Sequence, residues 1–352
     1  MSLQDGTAAI NLEFSERVPR TEYSVDTHWE LVSKVIGRNV CPQTPQCELE
    51  QASRDFRKAW NYDFVWSILV SSNYMNGEKS SMGHAGYAAG NTDFIDNRKV
   101  AFPDVSEILK LDPFELYGTL DKAQMTREFN INYQKNCEST PDAVNMTGIY
   151  ITCISGLIEM LGWEMLLEAL GTDKKAFGEL TNRYCNWIMQ YFEALSESSA
   201  PVVMIHDDIV WTEGPFTSPA WYREFVFPNY QKLFEPLRQA GKKIIYTSDG
   251  TYTQFIDDIA RCGVNGFVME PTTDMAYIAE NYGKTHVFIG NADTRILLDG
   301  SKEDIFNEVK RCMDIGKKYP GFFMAVGNHI PSNTPVENAL YYNECYEKLS
   351  RR

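Results

Sequence analysis

Five times in the C-terminal half of the chain a short apolar run stops abruptly at polar, ionisable residues. Pro201-Val-Val-Met-Ile205 meets His206-Asp207-Asp208, and Lys243-Ile-Ile245 meets Tyr246-Thr-Ser-Asp249-Gly250. Gly266-Phe-Val-Met269 meets Glu270-Pro271, and Thr285-His-Val-Phe-Ile289 meets Gly290-Asn-Ala-Asp293. Gly321-Phe-Phe-Met-Ala-Val326 meets Gly327-Asn-His329. Each run is followed by a stretch long enough for a helix, which predicts consecutive βα units. Three earlier segments fit the series: Val18–Val25, the apolar run Tyr62–Val70, and Ala143–Thr152. The total matches an α/β fold of the (β/α)8 TIM-barrel type with an N-terminal extension. In such barrels the residues at the strand C-terminal ends carry the chemistry.

The intervening stretches carry helix signals. Ser218-Pro219 offers an N-cap followed by Pro at the first helical position. The segment Tyr252–Cys262 ends at Gly263, a C-cap candidate. Ser301 precedes an acidic first turn with apolar residues at helical spacing, and a last helix begins at Pro335. Residues 71–103 are rich in Gly and Ser without periodicity, which predicts a long loop after the second strand, of the kind that serves as a lid or binding loop. Tyr74, Met75, Met82 and Tyr87 in this loop would suit a flat apolar ligand, and His84 is a further candidate there. No Pro/Gly-rich linker divides the chain, so residues 1–352 read as a single domain.

Composition narrows the partners. The net charge of −15 argues against nucleic acid or an anionic membrane surface. No apolar run is long enough to span a bilayer, and the N-terminus has no signal-peptide pattern. The eight cysteines are scattered without a CxxC, which predicts free thiols and a cytoplasmic setting.

The strand ends supply the candidate site. Asp207, Asp208 and His329 are the expected acid–base groups, since carboxylates and imidazoles move protons near neutral pH. Within a strand His206 and Asp208 share a face, while Asp207 points the other way. His206, Tyr246, Ser248, Asp249, Glu270, Asn291 and Asn328 are expected to bind substrate. Local roles compete: Asp249 and Asp293 can cap the segments after them, Glu270 can pair with a neighbouring strand, and His286 can pack in the core. No metal site is assigned. His206, Asp208, Asp249, Glu270 and His329 are nonetheless competent ligands for a divalent ion.

Several blocks in order resemble the uroporphyrinogen decarboxylase superfamily. They are Gly214-Pro-Phe-Thr-Ser-Pro-Ala-Trp-Tyr-Arg-Glu-Phe-Val-Phe-Pro-Asn-Tyr230, Ser248-Asp-Gly250, Ile289-Gly-Asn-Ala-Asp293 and Gly327-Asn-His-Ile-Pro-Ser-Asn-Thr-Pro-Val-Glu-Asn338. Glu16-Arg-Val-Pro19 and Gly148-Ile-Tyr-Ile-Thr152 match more weakly. The resemblance implies a (β/α)8 barrel and one of two chemistries, decarboxylation of a tetrapyrrole or methyl transfer to or from a corrinoid. The arginine-rich stretch that the decarboxylases carry after the position of Pro19 reads Thr21-Glu-Tyr-Ser-Val-Asp-Thr-His28 here. The His-x-Cys and Cys that hold zinc in the methyltransferases correspond to Tyr246, Ser248 and Asn328. His28 stands where part of the lost arginine cluster would be.

Asp207-Asp208 before the Gly-Pro-Phe-Thr-Ser-Pro block resembles the methyltransferase-like branch. The expectation is therefore an enzyme acting on a small methylated compound or a corrinoid-bound methyl group, without the zinc motif. A corrinoid (cobalamin) would be substrate or partner-bound group, a corrinoid protein the partner, and a homodimer compatible. Decarboxylation is the alternative, favoured if Arg17 and Arg20 serve as carboxylate clamps. A non-catalytic corrinoid- or tetrapyrrole-binding protein is the third reading.

Overall fold

The computed structural model describes residues 1–67, 102–150 and 152–352, together with Met75 and the strands Gly86–Tyr87 and Asp93–Phe94. The expected strand end at 68–70, most of the 71–103 loop, and Tyr74, Met82 and His84 lie outside the described residues, as does the side chain of Tyr87. Eight short strands, each paired in parallel, follow in chain order among the described residues. They are β1 (Phe64–Val65), β2 (Val144–Asn145), β3 (Thr147–Ile149), β4 (Val202–His206), β5 (Lys243–Ser248), β6 (Gly266–Met269), β7 (Val287–Ala292) and β8 (Phe322–Val326). From β4 onward every strand lies on an expected apolar run. β4 and β6 to β8 are buried along their whole length, as continuous apolar sequence in parallel strands requires.

The chain divides into two compact units. Unit 2, residues 67–134 and 146–265, holds β3, β4 and β5 side by side. Thr147 pairs with Val203, Met204 with Ile245, and His206 with Thr247. Its longest helix, Lys174–Ser196, starts at Asp173, whose carboxylate accepts the amides of Lys175 and Ala176. The Phe225 ring closes on that helix at Gly178, where a Cβ would stand 2.5 Å from the ring. Ser218 makes no side-chain cap, yet Pro219 does open the helix Pro219–Phe225. The segment expected as a helix over Tyr252–Cys262 is a 3-10 turn, Thr253–Phe255, followed by the helix Ile256–Arg261.

Unit 1 holds residues 1–66, 135–145 and 266–352. Here β6, β7 and β8 pair in order, and β1 pairs with β2. The expected first strand, Val18–Val25, is not a regular strand. Arg20 bridges singly to Tyr62 and Met324, and Tyr23 to His329. Pro19 has no N–H to donate, and Ser24 turns into the left-handed region at φ 48°, which ends any extended run. The expected strand Ala143–Thr152 breaks at Met146 into β2 and β3. The capping box at Ser301 is present, with Asp304 completing it, and opens the helix Lys302–Gly316. The final helix is Val336–Leu349.

A buried ion network locks unit 1. Arg20 and Glu22 are both fully buried and paired at 2.9 Å. The Arg20 guanidinium lies 4.4 Å from the Trp60 ring centre, 4.8 Å from Tyr346 and 5.0 Å from Tyr342. Glu22 also accepts from the Tyr342 hydroxyl at 2.7 Å and the Val326 amide at 2.9 Å. Arg17 pairs with Asp63 at 2.6 Å and reaches the Tyr346 hydroxyl. All eight cysteines are free thiols. Among the described residues no helix is long and apolar enough to cross a membrane.

Candidate active site

The strand ends of unit 2 build a compact ionisable patch. His206 ends β4 and is paired in register with Thr247 of β5, so their side chains share one face of the pair. Two residues further along each chain, Asp208 and Asp249 extend the same face. The His206 ring lies against Tyr150, with ring centres 3.9 Å apart, and is almost wholly buried. His206 Nε2 stands 2.7 Å from Asp208 Oδ1. Asp208 Oδ1 also accepts the Asp249 amide at 3.0 Å, and the Asp208 amide donates to Ser155 Oγ at 2.8 Å. One nitrogen or carboxylate oxygen from each of His206, Asp208 and Asp249 lies within 4.8 Å of the others. Asp208 is half-buried and Asp249 exposed, so the patch is open to ligand.

Local backbone makes this juxtaposition. Gly250 has φ +76°, and a Cβ there would sit 2.3 Å from the Trp211 carbonyl oxygen. Only glycine lets the segment after β5 approach the segment after β4 this closely. The Thr251 amide then donates to that carbonyl at 3.2 Å. Ser248 Oγ donates to the Asp249 carbonyl at 3.1 Å and accepts the Ile209 amide at 3.4 Å, which ties the two loops again.

Electrostatics favour the charged imidazole. Burial alone lowers the His206 pKa, but the charge and hydrogen bond of Asp208, with the further charges of Asp249 and Asp207, outweigh it and raise the value.

Asp207, expected as an acid–base group, and Tyr246 and Ser248, expected to bind substrate, lie instead on the opposite face of the two strand ends. Asp207 is fully buried, and its carboxylate accepts the Ile154 amide at 2.8 Å, the Ser155 amide at 2.6 Å and the Tyr230 hydroxyl at 2.5 Å. It thereby caps the N-terminus of the helix Cys153–Leu161. Burial pushes its pKa up to about 6, against the lowering effect of the Tyr230 and Ser155 bonds. The Tyr246 hydroxyl donates to the Asp207 carbonyl at 3.1 Å and lies 3.4 Å from that of Tyr230. Strand alternation is the physical reason: the register that aims His206 and Asp208 together turns Asp207 and Tyr246 toward the helices, and Ser248 toward the loop segments at Ile209 and Asp249. Thr247, Tyr150 and Ser155 were not singled out as site residues in the sequence. Counting back two from Asp249 would have found Thr247.

The remaining candidates lie in unit 1. Asn328 Nδ2 donates to Glu270 Oε1 at 2.5 Å, and Asn328 Oδ1 accepts the His329 amide at 2.7 Å. His329 Nδ1 stands 2.7 Å from Ser24 Oγ. Glu270, Asn328 and His329 are half-buried and form a second polar group. Asn291 is buried and occupied: its amide donates to the Glu270 and Thr273 carbonyls at 3.2 and 3.3 Å and accepts from Arg311 at 3.0 Å. Asp293 caps the helix Thr294–Asp299 and pairs with Arg295, so its role is local. His28 caps the helix Trp29–Ile36 through Nδ1 and donates from Nε2 to the Thr334 carbonyl at 2.9 Å. His286 stacks on Phe267 at 5.5 Å.

A thiol-activating zinc of the methyltransferase design does not fit these residues. Two of the three corresponding positions, Tyr246 and Ser248, are turned away and occupied, and Asn328 is a weak ligand.

Comparison with known proteins places the fold first. A methyltransferase from Methanosarcina mazei superposes with a TM-score of 0.65 over 99% of both chains, at 18% identity. The chain has that fold, an α/β barrel built on parallel strands. The uroporphyrinogen decarboxylase (URO-D) family profile matches residues 87–349, and the chain belongs to that family. Uroporphyrinogen decarboxylases of Geobacter metallireducens and Geobacter sulfurreducens are 25% identical over 190 residues, 54% of this chain and 54% of each relative. That of Pelobacter propionicus is 26% identical over 175 residues, half of each chain. The chain thus spans about half the length of these relatives in the matched region.

Proposed function

We propose that the chain is a methyltransferase of this family, moving a methyl group between a small methylated compound and a corrinoid carried by a partner protein. The observation that carries the reading is the fate of the arginines. A decarboxylase of a many-carboxylate tetrapyrrole needs cationic clamps. Arg17 and Arg20, the candidates near the N-terminus, are committed to Asp63 and Glu22, and Arg20 is fully buried. The full-length likeness to a methyltransferase adds support.

In this reading the methyl carbon would pass to the reduced corrinoid cobalt of the partner, which would supply the electron pair of the new bond, while the heteroatom keeps the pair of the broken bond and takes up a proton. His206 and Asp208, joined at 2.7 Å, are the pair that supplies it, and Asp249 completes the polar wall. In the reverse direction the same pair removes the proton. Glu270, Asn328 and His329 are the further substrate-orienting groups. Free thiols throughout suit a reducing, cytoplasmic setting.

An anaerobic visible-absorbance titration of methylcob(III)alamin with the protein and candidate thiol, phenol and amine acceptors tests this. Enzyme-dependent loss of the methyl–cobalt bands is expected, slowed about 100-fold or more by Asp208→Asn. No loss with any acceptor, combined with turnover of uroporphyrinogen, would replace this reading by decarboxylation, the activity of the relatives matched over about half their length.

A further inference from the structure

We propose that His206, Asp208 and Asp249 bind one divalent first-row cation, of the kind represented by Mn2+ and Zn2+. The three side chains come from two adjacent strand ends, and their ligand atoms already lie within 4.8 Å of one another. Bonds of about 2.0–2.2 Å to one ion bring ligands to within about 4.4 Å, so a small turn of the exposed Asp249 completes the set. One imidazole and two carboxylates form a mixed nitrogen–oxygen site, suited to borderline divalent ions rather than to soft ions that prefer thiolate. Three protein ligands leave positions open for water or a substrate heteroatom.

Thr247 is an independent pointer to a ligand. It is only 6% exposed, its hydroxyl has no hydrogen-bond partner among the described residues, and its register with His206 turns it onto the same face. A buried hydroxyl without a partner is costly, so its retention calls for something polar beside it. A water on the bound ion would satisfy it.

Charge points the same way. Two carboxylates facing a heteroatom that gains electron density would repel it. A divalent ion neutralises both, and with the ion bound the proton for the heteroatom would come from water held by the ion rather than from His206. The set is distinct from the zinc design whose positions fall at Tyr246, Ser248 and Asn328, and it stands whether or not methyl transfer is the reaction.

The full-length protein, freed of metal by chelator, is titrated with Mn2+ while the free-ion EPR signal is followed, and Zn2+ is then added in competition. One bound Mn2+ per chain, displaced by Zn2+, is expected. Asp249→Asn and His206→Gln should weaken it about tenfold or more, Thr247→Val by a few-fold, and Asp314→Asn, which alters an exposed carboxylate paired with Lys310, not at all. Circular dichroism checks each variant. If His206→Gln does not fold, the exposed Asp249→Asn decides. The absence of a stoichiometric site, or binding indifferent to Asp249→Asn, overturns the proposal. Cation binding without methyl transfer would keep this site and overturn the functional reading; methyl transfer by a protein that binds no cation would do the reverse.

Discussion

In unit 1, Arg20 and Glu22 are buried completely, and each charge is answered from within: Arg20 by Glu22 and three aromatic rings, Glu22 by Arg20, a tyrosine hydroxyl and a backbone amide. In unit 2, His206, Asp208 and Asp249 bring one imidazole together with two carboxylates, Asp249 is exposed, and the neighbouring Thr247 hydroxyl has no hydrogen-bond partner among the described residues. Both regions are rich in ionisable side chains. The first is closed electrostatically and holds the fold. The second holds two carboxylates to one imidazole and has an exposed member, Asp249, which suits it to take a cation or a proton. The pairing of buried charge and the exposure of the groups, rather than the count of charged residues, distinguish the two regions.

Four measurements would break or sharpen this contrast. The largest effect is expected from Arg20→Met, which strands the buried Glu22 carboxylate and should cost about 3–5 kcal/mol in chemical denaturation. A loss below about 1 kcal/mol would mean that the network is not structural. Asp208→Asn should lower methyl-transfer rate by about 100-fold, equivalent to about 2.7 kcal/mol, while shifting stability by less than about 1 kcal/mol. A fall in stability as large as the fall in rate would move Asp208 to the structural side.

Asp207→Ala, one residue away, should behave in the opposite sense. It orphans two helix amides and the Tyr230 hydroxyl, and about 2 kcal/mol of stability should go with them. Unchanged thermal unfolding would contradict the capping role. The smallest effect belongs to Thr247→Val. Replacing an unsatisfied buried hydroxyl by a methyl of the same shape should raise stability by up to about 1 kcal/mol in metal-free protein. A loss instead would reveal a partner for the hydroxyl.

Much of this arrangement is legible from residue order. The apolar runs before His206, Tyr246, Glu270, Gly290 and Gly327 locate β4 to β8, because strands buried on both faces have to be continuously apolar. Ser301 with Asp304 marks a helix start that depends only on neighbours three residues apart. Val18–Val25 misleads because its bridges are single and long-range, reaching Tyr62, Met324 and His329. Tyr246 and Ser248 mislead because the strand end is readable but the face is not, until the register between β4 and β5 is known.

By itself the sequence determined the parallel α/β class, the positions of the later strands and the pool of residues from which a site is drawn, since these follow from local periodicity and capping. The tertiary structure alone decided which of them meet. It turned Asp207 into a helix cap, buried Arg20 against Glu22, and set Asp249 beside Asp208 through Gly250. Those outcomes depend on register between strands and on contacts between residues up to hundreds of positions apart, and no local pattern encodes them.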